Sequence, residues 1–200
     1  MFKQCSEYLV SGDCMKYSRI FIVISPTAIV PRDPVRGIAS TTHRLDVILR
    51  SAIAALSQGN NIRRDVLFIG YASKSDTVIE LRGNELEKIP SSEIELLHLI
   101  LKRSKGIKVY TSSLLELKNY LETLCGSIIY LREDGELVNK VNLRSLPKPL
   151  CLFLGAHVDI EPRQEKILEL DKAIKISLGK VSYMTYQCII IINRLLDRLL

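Results

Sequence analysis

Pro149-Leu-Cys-Leu-Phe-Leu-Gly-Ala-His157 decides the fold of this chain. An apolar run bounded by Pro149 and Gly155 has no polar face to turn to water, so it reads as a buried strand stopping at a glycine. Ala173 to Leu178 repeats the pattern and stops at Gly179, where a positive φ or a close approach of another molecule to the main chain is permitted. In open parallel sheets ligands bind at the carboxyl ends of strands, which makes these two ends the place to expect a small molecule. Taken singly, each leucine-glycine pair also reads as an ordinary turn.

The rest of the chain alternates in the same way. Arg19 to Ile24 is apolar on both faces and reads as a central strand; Thr27 to Thr42, with Pro31, Pro34 and Gly37, reads as a long loop. His43 to Leu56 carries Leu45, Ile48, Leu49, Ala52, Ile53 and Leu56 at helical spacing. Strands follow at Val66 to Gly70 and Asp76 to Arg82. Helices are expected from Ser91-Ser92-Glu93 through Lys105 and from Ser112 or Ser113 to Leu124. Ser127 to Leu131 reads as a buried strand, Arg132 to Gly135 as a turn, and Glu136 to Leu146 as a solvated connection. The expectation is therefore an α/β domain with a mostly parallel sheet and helices on both faces, spanning residues 15–200 behind an extension at 1–14. Ser182 to Leu200 is expected to be a helix with two apolar stripes, one of them Ile189, Ile192, Leu196 and Leu200. One core is not expected to cover both, so the second stripe points to self-association as a homodimer through this helix.

Composition narrows the partners. Two hundred residues with a net charge of +6 and a pI near 9.1 form one ordinary domain that favours an anionic partner such as RNA. Residues 1–65 carry nine Lys and Arg against five Asp and Glu, which places the basic excess toward the front. Five cysteines without a C-x-x-C pair argue against a disulfide framework or a zinc site and for a reduced, cytoplasmic setting. No metal is expected, and no run approaches the roughly 20 apolar residues of a membrane span.

Leu154, Gly155 and His157, then Ile176 to Gly179, then Ser182, Gln187 and Cys188 together resemble the cofactor region of the SPOUT methyltransferases, and within them the archaeal TrmY family. His43-Arg-Leu-Asp46 and Ile62-Arg-Arg-Asp65 resemble that family's amino-terminal motifs, so the likeness runs from about residue 16 onward. It implies a trefoil knot in the cofactor region, about 127–200, and S-adenosyl-L-methionine-dependent methylation of N1 of pseudouridine 54 in the T-loop of tRNA. The rival readings are a Nep/Emg-type enzyme acting on a ribosomal pseudouridine and a non-catalytic RNA-binding protein. Leu131, Gly155, Ile176, Ser177, Leu178, Gly179, Lys180, Val181 and Cys188 are the implied S-adenosylmethionine residues. Cys188 reads equally well as a small core hydrophobe. The likeness turns Arg44, Arg63 and Arg64, otherwise a solvated charge cluster, toward RNA phosphates, and Asp46 or Asp65 toward the departing proton. Ala156 stands where the family usually carries an acid.

Overall fold

The computed structural model describes residues 17–199, so the extension expected at 1–14 lies outside the described residues. In chain order the elements are β1 (Arg19–Ser25), α1 (Ile38–Thr41), α2 (Leu45–Leu56), a small hairpin of β2 (Ser57–Gln58) and β3 (Asn61–Ile62), β4 (Val66–Ala72), β5 (Thr77–Arg82), α3 (Glu93–Leu101), β6 (Ile107–Thr111), α4 (Leu114–Leu124), β7 (Ser127–Leu137), β8 (Leu150–Gly155), α5 (Pro162–Ile167), β9 (Ile174–Ser177) and α6 (Thr185–Leu199). Seven strands form one sheet in the order β6-β5-β4-β1-β8-β7-β9. The strands from β4 to β9 in that order are parallel, and β5 runs antiparallel between β4 and β6.

β1 is central because it is apolar on both faces. Phe21 and Val23 pack on the side of α2, α3 and α6, while Ile20, Ile22 and Ile24 pack on the side of α4. Its register sets Ile22 beside Ile69 on one flank and Phe153 on the other. Local chemistry fixes the helix starts. The Ser92 side chain accepts from the Glu95 amide, Ser113 and Glu116 form a capping box, and Pro162 opens α5 where a missing N–H costs nothing.

Four expectations are corrected. Arg132 to Gly135 is not a turn ending β7: the strand runs on to Leu137, and the register against β9 slips so that Leu131 and Glu136 both pair with Ile176. Cys125 and Cys151, expected as free thiols, are joined in a disulfide with Cα atoms 5.6 Å apart. Ile189, Ile192 and Leu196 do not face a partner subunit; they are fully buried in the core that α2 shares with α6. The edge strand β6 and the short α5 were not foreseen. Among the described residues no helix is long and apolar enough to cross a membrane.

Candidate functional site

The middle of β7, at Leu131 to Glu133 where its register slips, the carboxyl ends of β8 and β9 and the start of α6 line a cavity of about 210 Å³. Leu131, Gly155, Ile176, Ser177, Leu178, Gly179, Val181 and Cys188 all line it; of the expected set, Lys180 does not. Its floor is main chain held in fixed geometry. A Cβ on Gly155 would stand 2.4 Å from the carbonyl oxygen of Val158, so only glycine lets these two strands of the loop touch. Gly179 adopts φ +120° with open space where a Cβ would be, a conformation that favours glycine on backbone grounds alone. The turn leading into it is tied by the Gly179 amide donating to Ser177 Oγ at 3.2 Å. From the other side, the Thr185 hydroxyl at the start of α6 reaches the carbonyl of Gly155 at 2.8 Å and that of Ala156. One residue of α6 therefore pins the loop after β8.

Cys188 is the free cysteine among the described residues; it lines the cavity and also packs against the core, so its two readings are one position. Burial pushes its thiol up from the ordinary range, which disfavours the thiolate. Ala156 is nearly buried in the cavity wall and brings no charge, whereas Glu133 and Asp159 place carboxyl-bearing residues around the same space.

Beside the cavity stands a second group of side chains. His43 and Arg44 are consecutive non-glycine residues with φ 49° and 73°, a strained pair ahead of α2. The strain turns the Arg44 guanidinium onto the Asp46 carboxylate, with contacts of 3.1 and 3.3 Å. Across from them His157, in the cavity wall, has its Nε2 3.3 Å from the hydroxyl of Thr27, which donates to the carbonyl of His43 at 3.0 Å. Desolvation first, and then the Arg44 charge, hold the His157 imidazole below its usual range, with Asp46 opposing. Sequence reading named His157 only as a matching residue; the signal that would have given it a role is its neighbourhood to Thr27, 130 positions away.

The remaining expected residues lie elsewhere. Asp65 precedes β4, and a strand of seven residues is roughly 20 Å long, so this carboxylate sits at the edge of the sheet opposite the cavity. It pairs there with the Ser18 hydroxyl and with Arg19 at 3.5 Å. Arg63 is 8% exposed and grips both oxygens of Asp197 in α6, at 2.6 and 2.7 Å. Arg64 donates to the carbonyls of Gly83 and Leu86. Of the expected catalytic and RNA-facing residues, the structure brings Arg44 and Asp46 toward the cavity and leaves Arg63, Arg64 and Asp65 at the far edge.

Helices on both faces of a mostly parallel sheet, with a cavity at the carboxyl ends of β8 and β9, define an α/β protein with its open site where such sheets bind small molecules. More narrowly, the chain belongs to the family described as putative SAM-dependent RNA methyltransferases, which it matches over residues 18–200. A tRNA (pseudouridine(54)-N(1))-methyltransferase of Methanocella arvoryzae is 27% identical over 90% of this chain and 99% of its own length. The enzyme of the same name from Methanocaldococcus jannaschii is 29% identical over 78% of this chain and 84% of its own. Among solved structures, Archaeoglobus fulgidus Nep1 bound to S-adenosylhomocysteine shares the fold with a TM-score of 0.65 at 13% identity, covering 92% of this chain and 99% of that one.

Proposed function

We propose that this protein methylates N1 of pseudouridine 54 in tRNA, using S-adenosylmethionine, as a cytoplasmic homodimer. What carries the reading is the cavity between the register slip of β7 and the ends of β8 and β9, in a chain that matches an enzyme of that name along 99% of its length. The cavity suits the donor chemically. Apolar side chains of Leu131, Leu154 and Ile176 offer a surface for an adenine ring, and the absence of a side chain at Gly179 leaves open space for a ligand to approach the main chain. Glu133 and Asp159 offset the positive charge of a sulfonium where Ala156 supplies none. When bound, the donor supplies an electrophilic methyl carbon.

The protein's own share of the work is positioning. An extruded base set against the methyl gains most of its advantage from proximity and orientation. Arg44, about half exposed at the cavity mouth, is the guanidinium we assign to a phosphate beside that base. Arg63 and Arg64 already spend their donors on Asp197 and on backbone carbonyls, so they carry little of the RNA contact in this reading.

The trefoil knot belongs to the same reading. It rests on the family resemblance; the close approach of Gly135 to Ile176, where a Cβ would stand 2.6 to 2.8 Å from backbone, belongs to the register slip between the paired strands β7 and β9. The deciding experiment compares two transcripts of one tRNA, with pseudouridine or uridine at position 54, together with a ribosomal fragment carrying pseudouridine. Transfer of labelled methyl to the pseudouridine tRNA alone is expected. Equal transfer to the uridine transcript removes the acceptor assignment, and preference for the ribosomal fragment moves it to the Nep/Emg type.

A further inference from the structure

We infer that His157 is the group that accepts the N1 proton of the target base, through Nδ1, and that Thr27 sets the tautomer which makes this possible. The inference rests on the methyl-transfer reading above and gives it a proton acceptor, a role for which Asp46 and Asp65 were the candidates in the sequence. Asp65 stands at the wrong edge of the sheet. Asp46 is nearer, but both of its oxygens are engaged by Arg44. His157 lines the donor cavity itself.

The hydrogen bonds determine which nitrogen is free. The Thr27 hydroxyl has one proton, and it points at the carbonyl of His43, a group that can only accept. Thr27 Oγ1 also lies 3.3 Å from His157 Nε2, and the arrangement that gives every one of these groups a partner is the one in which Oγ1 turns a lone pair toward an Nε2–H. In a neutral imidazole the other nitrogen is then an unprotonated acceptor. The direction of its shift agrees: partial desolvation first, then the Arg44 charge, hold this surface-exposed ring below its usual range. The unusual φ values of His43 and Arg44 acquire a purpose in this arrangement, since they present the His43 carbonyl to Thr27 while turning Arg44 toward Asp46.

The transfer balances without a further reagent. The N1–H bond breaks and its proton passes to Nδ1 of His157, while the N1 electron pair forms the bond to the methyl carbon. The pair of the methyl–sulfur bond remains on sulfur as a neutral thioether, and the imidazolium later loses its proton to water. A positioned base contributes typically 10²- to 10⁴-fold.

The test uses the full-length protein. His157→Gln keeps an amide able to donate to Thr27 but has no basic nitrogen; Thr27→Val keeps the shape and removes the hydroxyl. In single turnover on saturating pseudouridine tRNA, His157→Gln is expected to lose at least 10²-fold in rate, with S-adenosylhomocysteine affinity by calorimetry unchanged. Wild-type rate should rise with pH to an inflection below the ordinary histidine value of about 6.5, and this acid limb should vanish in His157→Gln. The charged groups facing the ring are Arg44 and Asp46, with Asp159 two positions along its own chain and His43 next to Arg44, so Asp46→Asn should lower the inflection further by removing the opposing charge. Nitrogen-15 spectra of the three histidines, assigned by their loss on substitution, should show His157 as the Nε2–H tautomer at pH 7, reverting to a tautomer mixture in Thr27→Val. A wild-type rate in His157→Gln, or an Nδ1–H tautomer in the native protein, overturns the inference while leaving the methyl-transfer reading standing. Absence of transfer by the wild type overturns both.

Discussion

At the residue scale the two glycines of the cavity make opposite demands, and substitution separates them. Gly155 is required by contact, because a Cβ there would collide with the Val158 carbonyl and with Asp159. Gly179 is required by conformation, since φ +120° strains any other residue although no neighbour stands in the way. Gly155→Ala must shift the loop after β8 and should cost about 1–3 kcal/mol of stability, as other overpacked sites do. Gly179→Ala faces a backbone cost of about 1–3 kcal/mol, which the loop can relieve by changing shape. Its thermal midpoint should then fall by only a few degrees, while affinity for S-adenosylhomocysteine falls at least tenfold by calorimetry. Equal affinity in Gly179→Ala and wild type would mean that this backbone does not touch the ligand.

At the scale of elements, α6 is a brace fastened at both ends. Thr185 ties its start to the loop after β8, and near its end Asn193 donates to the last carbonyls of α2, at Ala54 and Ala55, while Asp197 collects Arg63 and Arg19. Arg19 still faces Asp197 when Arg63 is removed, so the loss is that of one partly buried, charge-assisted pair, about 1.5–3 kcal/mol. Arg63→Ala should therefore unfold at a thermal midpoint roughly 5 °C lower, at about 2–4 °C per kcal/mol for a chain of this size. A loss of RNA binding with unchanged stability would instead restore Arg63 to the RNA surface. Hydrogen bonding from Arg63 holds the Asp197 carboxyl below its usual range, so its stabilisation is present above the unfolded value of about 3.9 and lost as pH falls through the folded one. Denaturant titrations at neutral and acid pH should show that contribution in wild type and a smaller one in Arg63→Ala, where only Arg19 is left against Asp197. The sequence made the central strands and long helices legible because apolar runs and 3.6-residue stripes depend on near neighbours. It left β6 unassigned although Ile107-Lys-Val-Tyr-Thr111 alternates, and α5 too, since six residues hold too few turns to show a period. Arg63 and Arg64 were misplaced for a different reason. A basic pair looks the same whether it meets a phosphate or an aspartate 134 residues away, and only the fold says which.

At the scale of the whole molecule, the described chain closes a covalent loop and leaves apolar surface open on its last helix. The Cys125–Cys151 bridge joins the end of α4 to β8 across 26 residues, a loop whose closure is worth about 3 kcal/mol in the chain-entropy account. Reduction should lower the thermal midpoint of wild type and leave Cys125→Ser unaffected by reductant. The open surface is on α6. Met184 is 63% and Ile190 51% exposed, and Ile191 is half-buried without joining the core, while Ile192 beside it is fully buried. The helix thus has a surplus apolar face, but it is the face of Met184, Ile190 and Ile191 rather than that of Ile189, Ile192 and Leu196. One residue of sequence separates two predicted fates. Ile191→Glu puts a charge where a second subunit would exclude water, and should yield a folded monomer with the wild-type spectrum by sedimentation. Ile192→Glu buries the same charge against α2 and should prevent folding altogether. A wild-type protein that sediments as a monomer at micromolar concentration would remove the dimer, and an Ile191→Glu dimer would place its interface on another face.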